Sequence, residues 1–291
     1  GDYARADLAW RDASSPEYAG CSVDRSGKVA AIKNLARFSN FSEGLCQTLE
    51  KGYTGKTGFV DPLGNLLVPY IFHGANNFNS GRAIASVLSP GASGEKIWDY
   101  EFVLIDESGR ELRQIGLSGT SVANWSDGLA ACLPEGKDKD DRYCYVDHNG
   151  SIIVKAPKGV SYDFSEGLAS FTERKNDNYA AGFFDKSGKI VIAPQFSFAG
   201  SFSEGLAAVQ QDDRWFYINK EGQRVISLPG DCSKARPFSH GLAAVQLGGE
   251  KKEDEFGDLT INGGNWGYID HSGKLVIQAE FSGAYTNGSW S

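Results

Sequence analysis

Two hydrophobic patterns alternate along this chain, and neither has the 3.6-residue period of a helix. The first is an aromatic followed three residues later by Gly-Leu-Ala. It reads clearly from Phe164 to Ala169, Phe202 to Ala207 and Phe238 to Ala243, and more loosely from Trp125 to Ala130, Phe41 to Cys46 and Phe78 to Ala83. Asp7-Leu8-Ala9 reads as a degraded seventh copy. The stretch it opens, as in Leu206-Ala207-Ala208-Val209, is apolar at successive positions. Side chains alternate across a strand, so such a strand is buried on both faces.

The second pattern is an aromatic and an aliphatic residue before an acid or amide, with glycine three residues further on. The pairs are Asp24 and Gly27, Asp61 and Gly64, Asp106 and Gly109, Asp147 and Gly150, Asp185 and Gly188, Asn219 and Gly222, and Asp270 and Gly273. Asp favours the first position of a type I turn, where its side chain accepts from the backbone two residues on. Glycine favours the fourth, where a left-handed residue lets two strands resume pairing. Each pair therefore predicts a hairpin tip. A β-rich run follows several of them, as in Lys189-Ile190-Val191-Ile192 and Lys274-Leu275-Val276-Ile277.

A strand before the tip, one leading into it and one leaving it give a three-stranded meander, joined to the next by a return loop such as Ala193-Pro194-Gln195-Phe196. The tip residues lie 37, 45, 41, 38, 34 and 51 residues apart, and the variation falls in the loops between the first two strands. The expected fold is all-β: one domain over residues 1–291, of about seven units near 5–38, 39–75, 76–122, 123–161, 162–199, 200–235 and 236–285. Strands buried on both faces require units that stack. An open superhelical, solenoid-like array is expected, with a seven-bladed β-propeller as the alternative. Three strands per unit is fewer than a propeller blade usually has.

Trp266-Gly267-Tyr268-Ile269-Asp270 carries a resemblance over nearly the whole chain: it is similar to the bacterial WG repeat, named for its Trp-Gly pair. Trp215 is followed by Phe216, and Cys144 and Cys21 stand where the family has glycine. The resemblance implies a shared architecture with variable repeat number, no catalytic motif to carry over, and a bacterial surface, periplasmic or secreted setting.

Composition narrows the function. The chain has 291 residues, a net charge of −8 and no basic run, which disfavours nucleic acid and anionic membrane surfaces. No apolar stretch reaches the ~18 residues of a membrane helix. There is no Met, and the expectation is that an upstream piece, either a signal peptide or an expression leader, has been removed. Among five cysteines, Cys132 and Cys144 stand late and early in successive strands around a long polar loop. A disulfide between them is expected, two buried thiols being the alternative, and Cys21 with Cys46 is a second candidate pair that would leave Cys232 over.

No constellation stands out as catalytic. Glu43, Glu166 and Glu204 share one repeat position and read as solvated turn residues. Asp138, Asp140 and Asp141, and the run from Glu250 to Glu255, read as solvated loops, while His148 and His271 read as exposed tip residues. Recurrent Trp98, Trp125, Trp215 and Trp266 read mainly as packing, with Trp10 and Trp290 outside the pattern. The expectation is a non-catalytic scaffold of the envelope or secretome, with no cofactor. It would bind a protein partner through the loops Ser89–Lys96, Glu135–Arg142 and Gly248–Gly264. A cell-wall or polysaccharide-binding module is the alternative, and an enzyme with a loop-built site the third reading.

Overall fold

The computed structural model describes residues 3–7, 20–24, 29–32, 39–50, 55–93, 95–96, 99–119, 121–133, 142–175, 178–253 and 259–282. These residues contain no α-helix. They form seven antiparallel sheets of three or four strands and one two-stranded hairpin, in two compact units.

The unit of residues 1–155 holds four sheets. The first is β1 (Tyr3–Asp7), β2 (Gly20–Asp24) and β3 (Val29–Ile32), and the second is β4 (Cys46–Leu49), β5 (Thr57–Val60) and β6 (Leu66–Phe72). The third is β7 (Gly74–Ala75), β8 (Arg82–Leu88), β9 (Tyr100–Asp106) and β10 (Glu111–Ser118); the fourth is β11 (Leu129–Cys132), β12 (Cys144–Asp147) and β13 (Ile152–Lys155). In the first sheet Tyr3 pairs with Asp24, as Leu168 pairs with Asp185 further on. The strand before the first tip is thus Tyr3–Asp7 itself, not a piece built on Asp7-Leu8-Ala9.

The unit of residues 156–291 holds three sheets. The fifth is β14 (Val160–Ser165), β15 (Leu168–Lys175), β16 (Asn178–Asp185) and β17 (Ile190–Phe196), and the sixth is β18 (Phe198–Ala199), β19 (Ala207–Gln211), β20 (Arg214–Ile218) and β21 (Arg224–Ser227). The seventh joins β22 (Cys232–Ser239), β23 (Leu242–Leu247), β26 (Asn265–Ile269) and β27 (Leu275–Phe281). The hairpin β24 (Glu250–Glu253) and β25 (Leu259–Asn262) is inserted between β23 and β26.

The three-stranded unit expected from sequence is therefore too small for the third, fifth, sixth and seventh sheets. Their extra strand, β7, β14, β18 or β22, comes from the segment read as a return loop. These strands are short or interrupted: β22 carries Pro237 at a register shift between Ala235 and Phe238, which an edge strand tolerates because proline has no N–H to pair. With four strands present, the strand count no longer speaks against a propeller.

The family's glycine has a local cause here. Gly58, Gly182 and Gly267 each stand alone opposite three residues of the next strand: Pro69 to Ile71, Ala193 to Gln195, and Gln278 to Glu280. That bulge drives the strand's backbone onto the glycine. A Cβ at these glycines would meet the carbonyl oxygens of Val68, Ile192 and Ile277 at 2.6, 2.5 and 2.7 Å. Where Cys144 or Phe216 replaces the glycine, pairing with the last strand proceeds residue by residue at that point, Cys144 with Lys155 and Phe216 with Ser227. In the third sheet the excess lies opposite Phe102, and β10 supplies its own Gly116 at φ 76°.

Candidate functional site

The second and third sheets, the fifth and sixth, and the sixth and seventh meet through joints built from the two sequence motifs. At the six described tips the glycine N–H donates to the carbonyl oxygen of the acid or amide three residues back, at 2.8–2.9 Å, and every one of these glycines has φ between 74° and 85°. Asp61, Asp106, Asp147, Asp185 and Asp270 also accept on Oδ1 from backbone N–H groups two and four residues on. Hydroxyls of Ser108, Ser187 and Ser272 add a third bond and hold the carboxyls of Asp106, Asp185 and Asp270 below the usual range. These carboxylates are consumed by their own turns. Asp24 ends β2, and Gly27 lies outside the described residues.

The tip glycine also packs on its neighbour. A Cβ on Gly109 would stand 2.6 Å from Val68 Cγ1, and one on Gly273 2.7 Å from Ile226 Cγ2. Gly222 sits in the same way over Ile192 at 3.4 Å. Above it, rings interlock: Phe59 on Phe78, Phe183 on Phe202 and Tyr217 on Phe238, with centroids 4.8–4.9 Å apart. Such pairs contribute about 0.5–1.5 kcal/mol each beyond area burial.

The aromatic-x-x-Gly motif is a tight hairpin turn. Residue and glycine are both left-handed, as in Glu43 and Gly44 (φ 53° and 77°) and Glu204 and Gly205 (54° and 81°), the pairing of a type I′ turn. From this turn the second, fifth and sixth sheets reach to their successors. Ser42, Ser165 and Ser203 donate their hydroxyls to the carbonyl oxygens of Phe78, Phe202 and Phe238, at 2.6–2.7 Å. Glu43 accepts from the N–H groups of Ser80 and Gly81, Glu166 from Gly205, and Glu204 from Gly241, at 2.6–3.2 Å. The three glutamates are exposed turn residues, as expected, and their carboxylates also clasp consecutive sheets. The Glu-Gly and Asp-Gly pairs ahead of a hydrophobic run were the sequence signal for the turn. Nothing local announced bonds to residues 37 to 39 positions away.

The residue after the tip acid completes two clasps. Lys220 Nζ lies 3.3 Å from Glu166 and donates to its carbonyl oxygen, and His271 Nε2 lies 3.1 Å from Glu204. His271 stacks on Phe238 at 4.3 Å, and His148 stacks on Trp125 at 4.0 Å while reaching Asn79 Oδ1 at 2.8 Å. Both histidines are thus bridging groups at the tips; His271 is exposed, as expected, while His148 is half-buried.

The expected Cys132–Cys144 bridge is absent. The two face each other directly across β11 and β12, but both keep thiols. Facing residues of an antiparallel pair hold their Cβ atoms about 4.5–5.5 Å apart, wider than the ~3.8 Å a disulfide needs. Cys132 instead packs with Ile84, Phe102 and Val146, and burial, with Cys144 beside it, pushes its thiol up. Cys46 is a buried thiol bonded to Ser39 O at 3.0 Å, and the Cys21 side chain lies outside the described residues. Cys232 is buried too, its thiol pushed up to about 12, chiefly by desolvation.

Trp215 and Trp266 are buried in the joints and edges, and among the described residues the exposed large aromatics are Tyr162, Tyr179, Phe198 and Phe281. Trp10, Trp98 and Trp290, and the acids at 138, 140 and 141, fall outside the described residues. An open groove of about 320 Å³ runs past Gln210, Asp212, Asp213, Arg214, Asp231 and Ser233. Among the described residues no three His, Cys, Asp or Glu side chains gather to hold a metal ion, and no helix is long and apolar enough to cross a membrane.

Comparison with known proteins gives one family and several distant folds. No curated protein matches the chain. A eukaryotic initiation factor structure is similar over 91% of this chain and 74% of its own, at 12% identity and a TM-score of 0.50, a likeness of fold alone. TolB from Acinetobacter baumannii (16% identity, 77% of this chain, 63% of that one, TM-score 0.38) and the β-propeller domain of the Trilobed protease from Pyrococcus furiosus (11%, 91%, 79%, 0.41) are more distant. Residues 58–87, 182–215, 215–250 and 266–288 match the WG containing repeat, and three of these matches take in the glycines on which the strand bulges close. Four segments of the chain, spread between residues 58 and 288, are WG-type repeats.

Proposed function

We propose that the chain is a non-catalytic protein-interaction scaffold of the bacterial envelope or secretome. One observation carries this reading: the joints repeat while the connections from the first-motif strand to the second-motif strand do not. Lys175 and Asn178 close one connection after two residues, and Gln211 and Arg214 another. The connection from Leu88 to Tyr100 is far longer, and that from Leu247 to Asn265 holds the whole β24–β25 hairpin. A constant frame with variable connections is how repeat proteins present specific surfaces. The polar groups of the joint satisfy one another, which leaves them structural work. The acidic charge favours a partner with basic patches over nucleic acid.

The test is affinity capture from envelope and secreted fractions with the chain and with a variant whose residues 249–263 are replaced by a two-residue turn. A stoichiometric protein held by the first and lost with the second supports the reading. Capture that depends on intact glycan and ignores the hairpin refutes it in favour of wall binding. That second reading rests on the four exposed aromatics, since Trp215 and Trp266 are committed to packing.

A further inference from the structure

The six described tips are all followed by the same irregularity. Val60 pairs with Leu66 and Phe59 with Val68, which leaves Leu67 unpaired in a bulge. Leu112, Ile153, Val191, Val225 and Val276 are skipped in the same way, each three residues after its tip glycine. All six are aliphatic, and all are between 37 and 53% exposed. The position before them is not so restricted, holding Leu66, Glu111, Ile152, Ile190, Arg224 and Leu275. Every one of these bulges lies in an edge strand, where exposed apolar residues invite unwanted pairing and charges usually guard against it. An isolated exposed aliphatic needs no explanation, but six at one register form a pattern.

In the unit of residues 156–291 the bulges form a row. Gly222 stands over Ile192 and Gly273 over Ile226, the residues next to Val191 and Val225. Successive bulges are therefore one sheet-to-sheet step apart, about 10 Å. The strands β17, β21 and β27, with the residue before each, hold Lys189, Arg224 and Lys274 against Glu280 alone. In the tips Asp185 is offset by Lys186 and Glu221 by Lys220, so only Asp270 subtracts from that excess. The row is thus apolar and basic on a chain of net charge −8, while Asp212, Asp213 and Asp231 line the open groove.

We infer that Val191, Val225 and Val276, with Lys189, Arg224 and Lys274, form a docking row for an extended acidic segment of a partner protein. An extended chain advances about 3.3 Å per residue, so about three residues span one step. The segment that fits carries an apolar residue at every third position, one for each bulge, and acids between them for the basic side chains. This surface is separate from the variable connections and goes beyond the binding already proposed for them.

Fluorescence anisotropy of the full chain with a labelled peptide of four Glu-Glu-Leu repeats tests the assignment, with four Lys-Lys-Leu repeats as control. The acidic peptide should bind and the basic one should not. Val191→Thr, Val225→Thr and Val276→Thr together keep the β-branched shape and remove one methyl from each contact, which should weaken binding about tenfold or more. Lys189→Gln with Lys274→Gln should also weaken it and flatten its salt dependence. Equal binding by the parent and the threonine variant overturns the inference, as does equal binding of the two peptides. Binding to vesicles of phosphatidylserine and phosphatidylcholine but to neither peptide would make a lipid surface the occupant, and overturns it too. Loss of peptide binding only when residues 249–263 are replaced would put the peptide on the hairpin, refuting this row and leaving the scaffold reading standing.

Discussion

Gly273→Ala is the sharpest perturbation of a joint, because Gly241→Ala is its control. The two glycines have nearly the same backbone, φ 81° and 80°. A Cβ at Gly241 meets nothing within 4 Å, while one at Gly273 meets Ile226 Cγ2 at 2.7 Å. Both substitutions carry the cost of a left-handed alanine, about 1–2 kcal/mol. Only Gly273→Ala adds overpacking, typically about 1–3 kcal/mol, because Ile226 lies in a core with Tyr217, Phe238 and Ile269 and has little room to move. The expected difference is therefore about 1–3 kcal/mol. Repeat arrays need not unfold in one step, so urea unfolding should be read beside hydrogen exchange over residues 214–227 and 265–281. In an Ile226→Ala background the extra loss at Gly273→Ala should disappear, giving a favourable coupling of about 1–3 kcal/mol. If Gly273→Ala costs no more than Gly241→Ala, the contact between tip glycine and preceding strand does not hold the sheets together.

Three further outcomes are expected. Gly182→Ala should destabilise the fifth sheet by about 1–3 kcal/mol in urea, as overpacking, since its Cβ would meet Ile192 O at 2.5 Å; a neutral effect would remove the reason given for the family's glycine. The carboxyls of Asp106, Asp185 and Asp270 are lowered in the folded state, so the stability they lend is complete above the unfolded value of 3.8 and is lost as pH falls through their lowered folded values. Ser272→Ala should raise the Asp270 titration midpoint seen by NMR, and an unchanged midpoint would contradict the assigned cause. Cys46, Cys132, Cys144 and Cys232 should resist a thiol reagent at pH 8 in the native protein and react on unfolding; a Cys132–Cys144 peptide in a non-reducing digest would contradict the thiol assignment.

The repeat, its all-β character and its hairpin tips were legible because they rest on residue types with narrow backbone demands. An acid followed by glycine at a fixed offset leaves few alternatives for the chain, and Trp266-Gly267-Tyr268-Ile269-Asp270 needed no neighbour to be recognised. The fourth strand was hidden because β18 is two residues long and β22 is interrupted by Pro237. The clasps were hidden for a different reason. Glu43, Glu166 and Glu204 are solvent-facing turn residues, as they look, but they also accept from N–H groups of Ser80, Gly81, Gly205 and Gly241, a whole repeat away. The cysteine pair was placed correctly across two strands, but both remain buried thiols there.

The clasp also has a direction. From the aromatic-x-x-Gly turn, Ser203 and Glu204 reach forward to Phe238 and Gly241, and only the later Lys220 and His271 among these clasps reach back, to Glu166 and Glu204. A chain leaving the ribosome therefore exposes its donors and acceptors before the turn that satisfies them has been made. Each finished sheet waits as a template for the next, so assembly can follow the order of synthesis and proceed one repeat at a time. Lengthening the array by duplication needs only a copied unit that keeps its serine, its glutamate and its tip glycine.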